Sequence, residues 1–321
     1  GRTCEVRFPE GIRPVRRRAI DPDARGLELF DRAREVRDAR DRDVLDLHTG
    51  RATADGDGVR LTRIIGGPHL EPFDPFLMLD AFDSCDARDY IGGFPPHPHR
   101  GFETVTLMIE GRMRHEDHLG NRGLLEAGGV QWMTAARGIV HSEMPEQEQG
   151  RMFGFQLWLN LPAADKMGPA GYRDFAPAEI PRLTTPRGVA VRVVAGQFKE
   201  GELELAGAVQ RPRTEPQLFE LSFPPGACLM PELPRGHNVL LHVFDGEVTV
   251  RGQRDSQVAR GQLARLSDGD SLHLASAGGA RALLIAGRPL GEPIVQYGPF
   301  VMNSRAEIEQ ALDDYRSGRF G

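Results

Sequence analysis

The sequence predicts an all-β protein, built as two similar β-domains in tandem and closed by a C-terminal helix. Three observations carry this. From Val44 onward, short apolar stretches are punctuated by Gly, Pro and Asp, as in Asp55-Gly56-Asp57-Gly58 and Gly66-Gly67-Pro68, the turn spacing of a sandwich or barrel. A second block, starting near residue 187, repeats the order of strands and turns of the first, which points to an internal duplication. The clearest helix signal comes only at the end of the chain.

The elements follow in order. Residues 1–43 are dense in Arg and Asp and stand apart as a charged extension; Leu27, Phe30, Ala33 and Val36 recur at helical spacing over 26–43, giving one weak helix or a flexible arm. The Arg16-Arg17-Arg18 run reads as a solvated charge run. The first β-domain is expected over 44–180, with strands at 59–65, 103–109, 123–125, 130–134, 138–141 and 153–161. A Pro-, Ala- and Gly-rich connection, 162–186, leads to the second domain, 187–321, with strands at 189–195, 218–223, 239–244, 247–251, 263–266, 271–274 and 281–286. The Asp245-Gly246-Glu247 turn stands where Glu110-Gly111-Arg112 stands in the first block. Ser304 followed by Glu307 forms a capping box opening a helix over 305–316, closed by Gly318, with Ile308, Leu312 and Tyr315 on one face for docking.

Composition excludes several function classes. At 321 residues the chain has room for two cores. Hydrophobic content is 40%, yet no apolar run approaches the roughly 20 residues needed to span a bilayer, and no signal segment opens the chain, so a cytoplasmic protein with no membrane segment is expected. A net charge of −6 gives no electrostatic case for direct nucleic-acid binding. Cys4, Cys85 and Cys228 are too few and too scattered for a disulfide framework or a thiolate metal site, and read as free thiols.

The chemistry concentrates in His97-Pro98-His99 and His141-Ser142-Glu143. Side chains at i and i+2 of a strand share a face, so each pair offers two ligands to one side of a sheet. Two such strands facing one another present three imidazoles and a carboxylate. That donor set suits Fe(II), Mn(II), Ni(II), Cu(II) or Zn(II), and the open positions it leaves favour a redox-capable metal. His115 and His118 flank a turn and are expected to face water or brace the site, while His237, His242 and His273 lack a paired partner, so the second domain is expected to hold no metal. Trp132, Phe153, Phe155 and Trp158 are expected in the core rather than as a substrate platform.

The run from His97 to Thr104 and the later stretch Gln131 to Pro145 resemble the pirin family of the cupin superfamily. The similarity extends to Asp74-Pro75-Phe76-Leu77-Met78-Leu79-Asp80, to His115-Glu116-Asp117, to Gly291 through Phe300 and to the terminal helix, and covers about 44–321. The resemblance implies a bicupin, two stacked antiparallel β-barrel or jelly-roll domains, with one iron in the amino-terminal domain held by His97, His99, His141 and Glu143. Glu103 occupies the place of a glutamate that many other cupins use as a ligand; Glu143 is preferred because the family uses the His-x-Glu pair. Two functions are implied. One is an Fe(II)-dependent dioxygenase acting on flavonol-type, quercetin-like aromatic substrates with O2, in which Glu143 takes the substrate's hydroxyl proton. The other is a non-catalytic, iron-dependent regulatory protein that binds a transcription or metabolic partner. Mn, Ni, Cu and Zn stand as alternatives to Fe(II), and a monomer is the family's usual form.

Overall fold

The computed structural model describes residues 40–67 and 72–321. Residues 1–39, and with them most of the predicted helical stretch 26–43 and the Arg16-Arg17-Arg18 run, lie outside the described residues.

The described chain is almost entirely antiparallel β-structure. In the first half a seven-stranded sheet runs in the spatial order Gly171–Phe175, Val130–Thr134, Phe102–Glu110, Met152–Asn160, Phe76–Ser84, Val59–Ile65 and Arg51–Asp55. A four-stranded sheet, Phe94–His99, Ile139–Pro145, Arg112–Asp117 and Arg122–Glu126, faces it. The second half forms one branched ten-stranded sheet. The sheets do not close into barrels, in keeping with the jelly-roll form of the expected fold.

Period-two alternation decides what each face touches. On Met152–Asn160, Phe153, Phe155, Leu157 and Leu159 point to the other domain, where they pack with Leu240, Phe244, Leu283 and Ile285. The intervening Gln156 and Trp158 line the interior of the first domain. The second domain alternates likewise: Val239, Leu241 and Val243 enter its own interior while Leu240 and Phe244 join the inter-domain layer. Its interior is filled by Val, Leu, Ala and Phe side chains.

The duplicated turns differ in form. Glu110-Gly111-Arg112 separates two strands, whereas Asp245-Gly246-Glu247 lies inside one bent strand, Asn238–Arg251, with a register shift between Val243 and Asp245. Gly246 has φ +66°, and a Cβ there would sit 2.1 Å from the Gly279 carbonyl, so the bend needs glycine.

The two ends of the described chain cross over. Val44–Thr49, placed by sequence reading in the first domain, pairs with Gln262–Leu266 of the second sheet. Just before it Arg42 is fully buried and donates to the carbonyls of Pro234, Ser267 and His237. The helix Arg305–Arg316 begins where the sequence placed it, with Ser304 accepting from the Glu307 amide. It packs Ile308 and Ala311 on Phe300, Met302 and Phe320, beside Val140 of the first domain. Tyr315, expected on the docking face, is 42% exposed, and its ring meets Phe320 edge-on at 5.4 Å and Phe300 at 6.4 Å. Among the described residues, no helix is long and apolar enough to cross a membrane. Cys228 is a free thiol and Cys85 is disulfide-bonded, so the expectation of three free thiols fails; an odd cysteine count leaves room for one pair.

Candidate metal centre

Strand pairing assembles the two motifs. Phe94–His99 and Ile139–Pro145 are antiparallel neighbours in which His141 stands opposite His97 and Ile139 opposite His99. One ring nitrogen from each of His97, His99 and His141 lies within 4.8 Å of those of the other two. His99 and His141 are buried and His97 is half-buried at the mouth of the domain interior.

Hydrogen bonding leaves each ring with one nitrogen facing the others. His97 Nδ1 lies 2.8 Å from the Pro95 carbonyl, which can only accept, so Nε2 keeps its lone pair. His99 bonds the backbone of Pro299, a residue without an N–H, and its Nδ1 is buried with no hydrogen-bond partner. His141 has Nδ1 3.4 Å from His115 Nδ1, and its Nε2 is likewise buried without a partner. Burial, followed by the neighbouring imidazoles, holds His99 and His141 well below the usual histidine range. Both are therefore neutral at pH 7, the state a metal ligand needs. Three lone pairs, two of them on buried orphaned atoms, converge on one point, and such a cluster fits a divalent cation of nitrogen preference.

Glu143 is buried nearby but stands outside the three-histidine cluster. It reaches across the interior to the facing sheet, where its two oxygens accept from Thr106 Oγ1 at 3.2 Å and Gln156 Nε2 at 2.9 Å. Thr106 and Gln156 are themselves opposite one another across two strands. Glu103 is turned to the other face of its sheet, accepting from Thr134 at 2.6 Å and Arg211 at 2.9 Å, away from the histidines. Gln156 was not singled out from the sequence, although a lone amide in the apolar strand Met-Phe-Gly-Phe-Gln-Leu-Trp-Leu-Asn was a usable signal. Trp158 is 8% exposed, packs edge-on to His99 at 5.2 Å and lines the cavity, so it serves both core and site, unlike Trp132, Phe153 and Phe155.

His115, expected near a turn, is fully buried beside the site, whereas His118 Nδ1 accepts from the Val140 amide. Behind His115 stands Asp117, 3.3 Å from its Nε2. Burial pushes the Asp117 carboxyl up, but hydrogen bonds from Asn121 and His115 outweigh it and hold the group below the usual range.

The cluster opens into a cavity of about 640 Å³, a size that suits a small-molecule ligand. Met78, Phe82, Phe94, Met113 and Trp158 supply apolar walls, while Gln156, the two histidines of the first motif and the charged Asp55, Asp57, Arg63 and Asp80 supply polar groups.

Comparison with known proteins agrees with this architecture. The Pirin family model matches residues 58–159 and the Pirin C-terminal cupin domain model matches 218–321. A Pseudomonas aeruginosa protein named "Putative quercetin 2,3-dioxygenase" is 64% identical over 87% of this chain and 98% of its own. The chain belongs to the pirin family. Human pirin is 40% identical over 84% of this chain and 91% of its own length. Among solved pirin-like structures, quercetin 2,3-dioxygenase from Acinetobacter baumannii superposes with a TM-score of 0.78 at 32% identity, covering 87% of this chain and 98% of that one. The bicupin expectation therefore holds, as two cupin domains of mostly β-structure.

Proposed function

We propose that this pirin is a metal-dependent dioxygenase that opens flavonol-type aromatic substrates with O2 and releases carbon monoxide. The observation that carries the reading is the gathering of three imidazoles, His97, His99 and His141, two of which line a largely apolar cavity. Relatives whose names include quercetin 2,3-dioxygenase, one of them 64% identical, support the substrate class. His97, His99 and His141 hold the metal, with Glu143 as the fourth ligand or as a base at its edge. Fe(II) is the favoured ion on family grounds, and the donor set also accepts Mn, Ni, Cu or Zn.

When bound, a redox-capable divalent metal lowers the pKa of a coordinated hydroxyl and opens the resulting anion to O2. The chain does the rest. Trp158, Phe82 and Phe94 enclose a planar ring system and keep water from it. Glu143 accepts the proton of the substrate's 3-hydroxyl at a carboxylate oxygen. Gln156 and Thr106 fix that carboxylate, so the proton arrives at a group already aimed.

The test is anaerobic loading with Fe(II), metal counting, and an assay of quercetin absorbance loss with oxygen uptake, run beside His97→Ala. One metal per chain with metal-dependent oxygen consumption is expected, abolished in His97→Ala. Full metal occupancy without turnover would overturn the enzyme reading in favour of an iron-dependent partner-binding protein.

A further inference from the structure

For two imidazoles that each carry a single hydrogen, the hydrogen-bond chain behind His141 has one consistent assignment of protons. Asp117 Oδ1 accepts from the backbone amides of Leu119 and Asn121, both at 3.0 Å, and Oδ2 accepts from Asn121 Nδ2 at 2.8 Å. This carboxylate has no proton to give, so the 3.3 Å contact requires His115 Nε2 to carry the hydrogen. With its single hydrogen there, His115 presents a bare Nδ1. That nitrogen lies 3.4 Å from His141 Nδ1, which must therefore be the donor, and the lone pair of His141 is left on Nε2. The His115 ring is fully buried and stacked on Tyr172 at 4.2 Å and 16°, with the Tyr172 hydroxyl anchored on Asp174, so it has little freedom to turn away.

We infer that His115 and Asp117 are positioning residues that dictate the tautomer of His141 and so turn its Nε2 lone pair toward the candidate metal centre. The inference rests on the metal-binding reading above and extends it to residues outside the ligand set. Outer partners of this kind typically change metal affinity by about 10- to 100-fold when lost.

Asp117→Asn is the sharpest probe. The amides of Leu119 and Asn121 reserve the Oδ1 place for an oxygen, which puts the new amide nitrogen at the Oδ2 place, facing His115 Nε2, with the Asn121 side-chain amide turned over to offer its oxygen there. His115 then accepts at Nε2, carries its hydrogen on Nδ1, and opposes the hydrogen on His141 Nδ1. His141 is expected to switch to the Nε2–H form. Long-range ¹H–¹⁵N NMR of the metal-free full-length protein reads the tautomer directly, and Fe(II) titration reads affinity. Wild type is expected to show His141 protonated on Nδ1, with the hydrogen moved to Nε2 in Asp117→Asn and affinity lowered by about 10- to 100-fold. His115→Phe keeps the stack on Tyr172 and is expected to lower affinity similarly, while His115→Gln, whose amide oxygen can accept from His141, recovers part of it. An unchanged His141 tautomer in Asp117→Asn overturns the inference, as does wild-type affinity in both Asp117→Asn and His115→Phe. A wild-type protein that binds no metal refutes the proposed function, and the NMR measurement still decides the role of His115.

Discussion

Lys166 is one of only two lysines in the chain and is 1% exposed, and replacing it with methionine tests how the two ends of the protein are held together. Its ammonium donates to the Gly101 carbonyl at 2.7 Å, Asn160 Oδ1 at 2.6 Å and the Val301 carbonyl at 2.9 Å, using all three protons. Gly101 has φ +92° and a Cβ there would sit 1.9 Å from the Val301 oxygen, so the strand ends meet closely around this cation. Hydrogen bonds to a charged group contribute about 1.5 to 3 kcal/mol each, or about 5 to 9 kcal/mol for three. Against this, burial lowers the Lys166 pKa from 10.5 to about 8. At about 1.4 kcal/mol per tenfold, keeping the charge costs the native state about 3 kcal/mol at neutral pH. Methionine fills similar volume, so the expected net loss is about 2 to 6 kcal/mol at pH 7. The pH dependence has a definite sign. Between pH 8 and 10.5 the unfolded chain holds the lysine proton and the native chain does not, so this group's contribution to stability rises with pH. Urea unfolding of wild type and Lys166→Met at a series of pH values is expected to show a gap that widens over that window, by up to about 3 kcal/mol. A gap that stays constant or narrows would refute the reasoning.

Glu143→Gln can keep an oxygen for Gln156 and give an N–H to Thr106, so the fold is expected to hold while quercetin turnover falls by about 10²- to 10⁴-fold and partial metal binding survives; unchanged turnover would remove Glu143 from the proton transfer. Chelation of the loaded protein is expected to lower the thermal midpoint, since a ligand at 1,000 times its Kd stabilises by about 4 kcal/mol, and a calorimetric scan with and without chelator checks this. Burial holds His242 at a pKa of about 4, below its ordinary 6.5. The unfolded chain therefore takes up a proton that the native chain refuses, and stability is expected to fall as pH drops from 6.5 toward 4. His242 meets Phe155 edge-on at 5.7 Å, and His242→Phe should flatten this acid dependence in urea unfolding series, at the loss of its bond to the Gln262 carbonyl.

The fold and the histidine cluster were legible because both depend on short-range patterns. His97 and His99 share a face by strand geometry alone, as do His141 and Glu143, and the apolar alternation of the second block announced an interior of Val and Leu. Glu103 was ambiguous for a definite reason. Arg100 and Gly101 interrupt the extended run between His99 and Phe102, and parity cannot be counted across such a break. Gln156 and Lys166 escaped, and His115 was left between facing water and bracing the site, because their roles arise from contacts between distant strands. The diagonal from His141 to His115 exists only once His141 is registered opposite Asp117 and Glu143 opposite His115. The exchange of Val44–Thr49 into the second sheet was invisible for the same reason, since an alternating strand carries no mark of which sheet it will join.

The crossing of the chain ends has a consequence for how the protein is made. Pro299 accepts from both His99 and the amide of Arg100, and the Arg100 guanidinium is held at 2.8 Å by Asp314, a residue 214 positions downstream. A nascent polypeptide emerging from the ribosome can display both histidine motifs long before the acceptor of His99 and the terminal helix are synthesised. Until then His99 lacks the partner that fixes its ring, and the pocket lacks one wall. On the metal-binding reading, an amino-terminal fragment carrying both histidine motifs is expected to bind a divalent ion more loosely than the whole chain.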